Sequence, residues 1–166
     1  MHRRDVLGIG GSLTLATLAG CVADSPTSDT DTDAASDDSD MSSELDLREA
    51  NVVGVDFEQD GGGYEFSVTL HHDDDGEEGY ADWWQVERLD GTQLGRRVLR
   101  HPHSRQPFTR SDTIEVPEDV TCVAVRGHDQ THGYGGRAVV VNLDSGEQTA
   151  VRQGTDRQAV SETDCP

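Results

Sequence analysis

The chain has 166 residues, and 33 Asp and Glu outweigh 13 basic residues to give a formal net charge of −20. Every one of those basic residues is arginine. This balance excludes a nucleic-acid binder, which needs a basic surface against phosphate, and it argues against docking onto anionic lipid headgroups. An acidic, lysine-free surface stays hydrated in concentrated salt, where the Debye length is about 3 Å and self-repulsion is screened.

The N-terminus begins with Arg3-Arg4 followed by Asp5-Val6-Leu7, which fits the twin-arginine export pattern. Residues 6–19 form a weakly apolar stretch, shorter than the roughly 20 residues a bilayer span requires. It ends in Leu18-Ala19-Gly20-Cys21, which resembles the lipobox at which a signal peptidase cuts before a lipid-modified cysteine. A charged start, a short apolar middle and a small-residue end mark a removable export segment. Residues 1–20 therefore read as a signal segment. Cys21 reads as a lipid anchor holding the chain to the outer face of the cell membrane. With its salt-adapted composition, the chain resembles an extracellular lipoprotein of a halophilic archaeon.

Residues 22–46 are Asp, Ser, Thr and Ala with nine acids and one Pro but no base. Such a segment cannot bury enough apolar surface to fold, and its self-repulsion extends it. Residues 21–49 are thus expected to be a lipidated, disordered acidic linker. Residues 50–143 are the expected folded domain, followed by a polar tail over residues 144–166.

Alternating apolar and polar residues recur through that domain. Val53, Val55 and Phe57 mark a first strand, and Tyr64, Phe66, Val68 and Leu70 a second after Gly61-Gly62-Gly63. Residues 83–89 and 94–99 flank Asp90-Gly91, a strong hairpin signal. Residues 113–116, 120–126 and 137–143 complete the set, with one further edge strand expected at 149–152. Seven short strands separated by turns, with no sustained 3.6-residue period, predict an all-β, immunoglobulin-like sandwich. In Trp83-Trp84, strand alternation places one indole in the core and leaves the other part-exposed.

Of three cysteines, Cys21 goes to the lipid. Cys122 and Cys165 remain as an even pair in a compartment where disulfides persist. A bridge between them would staple the tail to the domain; two unpaired thiols are the alternative, because pairing needs close Cα atoms.

Six histidines lie at strand ends or in loops: His71-His72, His101-Pro102-His103, and His128 with His132 around Asp129. Imidazole suits iron, copper and zinc, and a carboxylate such as Asp129 can complete a shell. Solvated histidines at turns are the plainer alternative. Arg96, Arg97, Arg100, Arg105 and Arg110 cluster in the fourth strand and the loop after it. They read either as partners for nearby acids or as a small anion-binding patch.

The segments from His71-His72-Asp73 through Tyr80-Ala81-Asp82-Trp83 and from Val125 through His128-Asp129-Gln130-Thr131-His132-Gly133-Tyr134 resemble the iron-binding domain of desulfoferrodoxin and superoxide reductase. That resemblance implies an immunoglobulin-like sandwich holding iron on four histidines and one cysteine. His132-Gly133 matches the family's His-Gly pair, and His72 (with His71 as the alternative) matches its first histidine. A further family histidine falls on Gly79 and the axial cysteine on Asp129. His101, His103 or His128 would have to complete the shell.

The expected function is a lipid-anchored extracytoplasmic module that binds a protein partner or a metal ion through its histidine-bearing loops, without catalysis. The alternative is a redox metalloprotein related to superoxide reductase with an altered iron site. A third reading is a purely structural domain. Convergence of His72 and His132 with His101, His103 or His128 separates them.

Overall fold

The computed structural model describes residues 45–166. Arg3, Arg4 and Cys21 lie outside them. Among the described residues, nine strands form two antiparallel sheets. One contains β1 (Asn51–Asp60), β2 (Gly63–His71) and β5 (Phe108–Ile114) in the order β1-β2-β5. The other contains β3 (Ala81–Arg88), β4 (Gln93–Val98), β6 (Cys122–Asp129), β8 (Arg137–Asn142) and β9 (Gln148–Arg152) in the order β4-β3-β6-β8-β9. The short β7 (Gly133–Tyr134) pairs with β6.

The inward faces of the two sheets share one apolar core. Phe66, Val68 and Leu70 of β2 are fully buried with Trp84 and Val86 of β3 and Val123 and Val125 of β6. Their period of two is the strand pattern read from the sequence. In β1 the buried pair is Val52 and Val55, three residues apart. A register shift between Val52 and Gly54 accounts for it, because a bulge moves the following side chains to the other face. Gly127 and Gly135 both admit the Ala50 backbone, since a Cβ at either would collide with the Ala50 carbonyl oxygen.

Three features differ from the sequence expectation. Among the described residues there are nine strands rather than seven and an edge strand, the addition being the two-residue β7. The fifth begins at Phe108, well before the expected Thr113, and pairs with β2 from Leu70↔Phe108 to Tyr64↔Ile114. The edge strand expected at 149–152 is β9, which pairs with β8, but the tail beyond it also packs on the domain, with Val160 buried against Ala124 and Val140.

That tail covers a charged layer on the outward face of the second sheet. Glu87 and Arg126 are both fully buried, with Arg126 Nε 3.0 Å from Glu87 Oε1. Arg157 Nη2 reaches Glu87 Oε2 at 2.8 Å, and Gln85 Nε2 donates to Glu87 Oε1 at 2.6 Å. Arg126 also donates to Gln153 and, through Nη2, to the Gln158 carbonyl at 2.9 Å. A disulfide joins Cys122 of β6 to Cys165, with Cα atoms 6.0 Å apart, and holds the tail over this layer.

Candidate functional site

His72 follows directly after β2, where the chain leaves the sheet under residues 45–50. It is 1% exposed. Its Nδ1 lies 2.8 Å from Asp74 Oδ1 and 2.9 Å from the Asp74 backbone nitrogen, and its Nε2 lies 2.9 Å from the Arg48 carbonyl oxygen. Burial disfavours the charged ring. The Asp74 hydrogen bond, the Arg48 carbonyl and the charges of Asp74 and Asp129 outweigh it, so the His72 pKa lies above its ordinary value.

Asp74 turns into the protein because its backbone adopts φ +45°, a conformation that Asp tolerates better than most residues. Its side chain is completely buried. Besides His72, it accepts the Ala81 N–H at 2.9 Å and the His103 N–H at 2.5 Å. Burial opposes ionisation, yet these donors hold the carboxyl below the usual carboxylate range.

His103 continues the arrangement from the β4–β5 loop. Its Nδ1 lies 3.1 Å from Asp74 Oδ2, and its ring stacks on Phe108 at 3.7 Å. Burial and the nearby Arg110 charge push its pKa below the ordinary histidine value, outweighing the pull of Asp74. On the other side of His72, its Nε2 is 4.0 Å from Asp129 Oδ2. Asp129, also fully buried, accepts the N–H groups of Thr131 at 2.8 Å and His132 at 2.6 Å. His132 Nδ1 lies 3.4 Å from Asp129 Oδ1.

The result is an alternating series, His103–Asp74–His72–Asp129–His132, through one end of the sandwich. His72, His103, His132 and Asp129 are thus brought near one another, with Asp74 between them. Sequence reasoning missed Asp74 because it is the middle of three consecutive aspartates; only its backbone conformation selects it.

The donor set does not fit an iron centre of four histidines. Both His72 ring nitrogens are engaged by protein atoms, and among the described residues no three His, Cys, Asp or Glu side chains are placed to share a metal ion. His128 belongs to a different cluster: its Nδ1 is 2.7 Å from Asp82 Oδ1, and its ring stacks on Trp83 at 4.2 Å. The Arg96 guanidinium lies 3.8 Å from the Trp83 ring. Trp84 fills the core, and Trp83 is nearly as buried between Arg96 and His128. His101 is exposed, with its ring 5.1 Å from that of His103.

His101 and His103 open onto a cleft of about 320 Å³ between β4 and β5. Arg97, Arg100 and Arg110 line it, and its one carboxylate is Asp112. An adjoining depression adds Arg105. Residues 91–111 contain five arginines and two histidines without a single Asp or Glu. In a chain this acidic, the cleft is a local reversal of charge.

No family model and no solved structure matches the chain. Nothing among these comparisons supports a relationship to desulfoferrodoxin. Over 125 residues the chain is 66% identical to a protein of the halophilic archaeon Halomicrobium mukohataei described as "Putative lipoprotein". The match covers 75% of this chain and 62% of that protein, so the chain spans less than two thirds of the curated relative it matches.

Proposed function

We propose that this chain is an exported lipoprotein, anchored through Cys21 to the outer face of the membrane, whose β-sandwich is a non-catalytic binding module. The 66% identity to a protein described as a lipoprotein supports the anchor, as do the Arg3-Arg4 pair and the Leu-Ala-Gly-Cys sequence ending at Cys21. Residues 1–20 are removed, and the acidic residues between Cys21 and the segment that packs on His72 form a spacer.

Three strand pairings support reading the two sheets as an immunoglobulin-like sandwich. β2 pairs with β5, β3 with β6, and β6 with β8. These are the pairings of strands B with E, C with F and F with G in that fold.

One observation supports binding over catalysis. The buried His72–Asp74 pair is engaged within the protein, whereas Arg100 and Arg105 at the exposed edge have no carboxylate within ion-pair distance among the described residues. A catalytic histidine must reach the proton it transfers, and His72 is enclosed. Arg100 and Arg105 face solvent and are available to an extracellular partner.

Replacing Cys21 with Ser tests the anchor. The exported chain moves from the membrane fraction to the medium; unchanged membrane retention would overturn the assignment.

A further inference from the structure

We propose that the cleft between β4 and β5 is a binding site for a phosphate or sulfate group, held by Arg97, Arg100 and Arg110 with His101 at its rim. The inference rests on the reading of the sandwich as a binding module and names its ligand class.

The chemistry follows from where the arginines go. Four arginines elsewhere in the domain are matched by acids: Arg48 with Asp46, Arg88 with Asp119, and Arg126 and Arg157 with Glu87. Around the cleft that matching stops. Arg97 Nη1 is 3.8 Å from Asp112 Oδ2, at the outer limit of an ion pair, and its Nε is shielded from solvent without a hydrogen-bond acceptor. Arg110 Nη1 donates only to the neighbouring Thr109 carbonyl, at 2.7 Å.

The lining residues also come from different directions. Arg97 lies on β4 at the edge of one sheet, Arg110 on β5 at the edge of the other, and Arg100 and His101 in the loop joining them. A single carboxylate is satisfied by one guanidinium fork, whereas a tetrahedral oxyanion offers oxygens to several donors at once. In molar salt, screening over about 3 Å removes long-range attraction. An anion there must be held by direct charge-assisted hydrogen bonds, which this lining can supply.

The test is calorimetric titration of the full chain in molar potassium chloride with inorganic phosphate, and separately with inorganic sulfate. Saturable binding of one phosphate or sulfate per chain is expected. Arg100→Gln and Arg110→Gln should each weaken it by about tenfold or more, the usual loss for one hydrogen bond to a charged group. Arg88→Gln, remote from the cleft, should bind as the native chain does. No saturable binding, or native-like binding by both cleft variants, overturns the proposal.

Vesicles of phosphatidylglycerol, compared with phosphatidylcholine, identify the source of the group. Competition between those vesicles and free phosphate, or vesicle binding lost in Arg100→Gln, assigns it to a lipid headgroup. Phosphate binding without vesicle binding assigns it to a soluble ligand. Failed titrations with an intact Cys21 anchor discard the ligand and leave the anchor standing; a released chain with Cys21 unmodified discards the anchor whatever the titrations show.

Discussion

Asp74 Oδ1 and His72 Nδ1 lie 2.8 Å apart with both side chains buried, and the pair joins the β2–β3 loop to the β4–β5 loop through His103. Removing one partner leaves the other charge without compensation. Asp74→Asn keeps the size and tolerates the positive φ, so the loss reports the charge pair. It should destabilise the chain by about 3–5 kcal/mol in denaturant titrations at fixed salt. A change under about 0.5 kcal/mol, the ordinary surface value, would contradict this assignment.

The same pair sets a pH dependence. His72 titrates above its ordinary value of 6.5 in the folded chain. The proton it gains on folding therefore contributes stability fully below pH 6.5, and that contribution is lost as pH rises through the folded pKa. Asp74, held below its ordinary 3.8, contributes above that value and loses its contribution as pH falls through the folded pKa. His103, shifted down, acts opposite to His72 in the neutral range. The informative quantity is the stability difference between the native chain and His72→Gln. It should be largest between about pH 4 and 6.5 and shrink toward alkaline pH; a difference that grows with pH would reverse the assignment.

Because both His72 ring nitrogens and both Asp74 oxygens are engaged within the protein, metal is not required to hold that pair together. A chelator should leave Tm unchanged, since only a species bound to the folded state raises stability. A fall in Tm restored by iron, copper or zinc would show that His72, Asp129 and His132 rearrange around an ion.

The Cys122–Cys165 bridge closes 43 residues of sequence separation. Removing it with Ser at both positions should cost about 4 kcal/mol on the chain-entropy model and open the tail over Glu87 and Arg126. Faster amide exchange at Val160 and along the outward face of β6 would show that opening. Exchange unchanged from the native chain would mean that the tail holds without its staple.

Strand positions were legible where burial alternates cleanly, as along Phe66, Val68 and Leu70. They blurred where a sheet edge replaces apolar contacts with polar ones. In β5 only Phe108 and Ile114 are buried, and the residues between pair through hydroxyls: Ser67 with Ser111 at 2.7 Å and Thr69 with Thr109 at 2.8 Å. Such a strand carries little apolar signal. Nor did alternation reveal that both faces of β3 are covered, because Glu87 is matched by Arg126 and Arg157 from distant parts of the chain. The histidines singled out from sequence do gather in part, but their organiser, Asp74, is set by a backbone angle rather than by residue type.

The most direct measurement is the intact mass of the chain extracted from membranes. A mature protein that starts at Cys21 and carries added lipid mass on that residue is the expected result. A membrane-extracted chain that retains residues 1–20, or that begins at an unmodified Cys21, would contradict it.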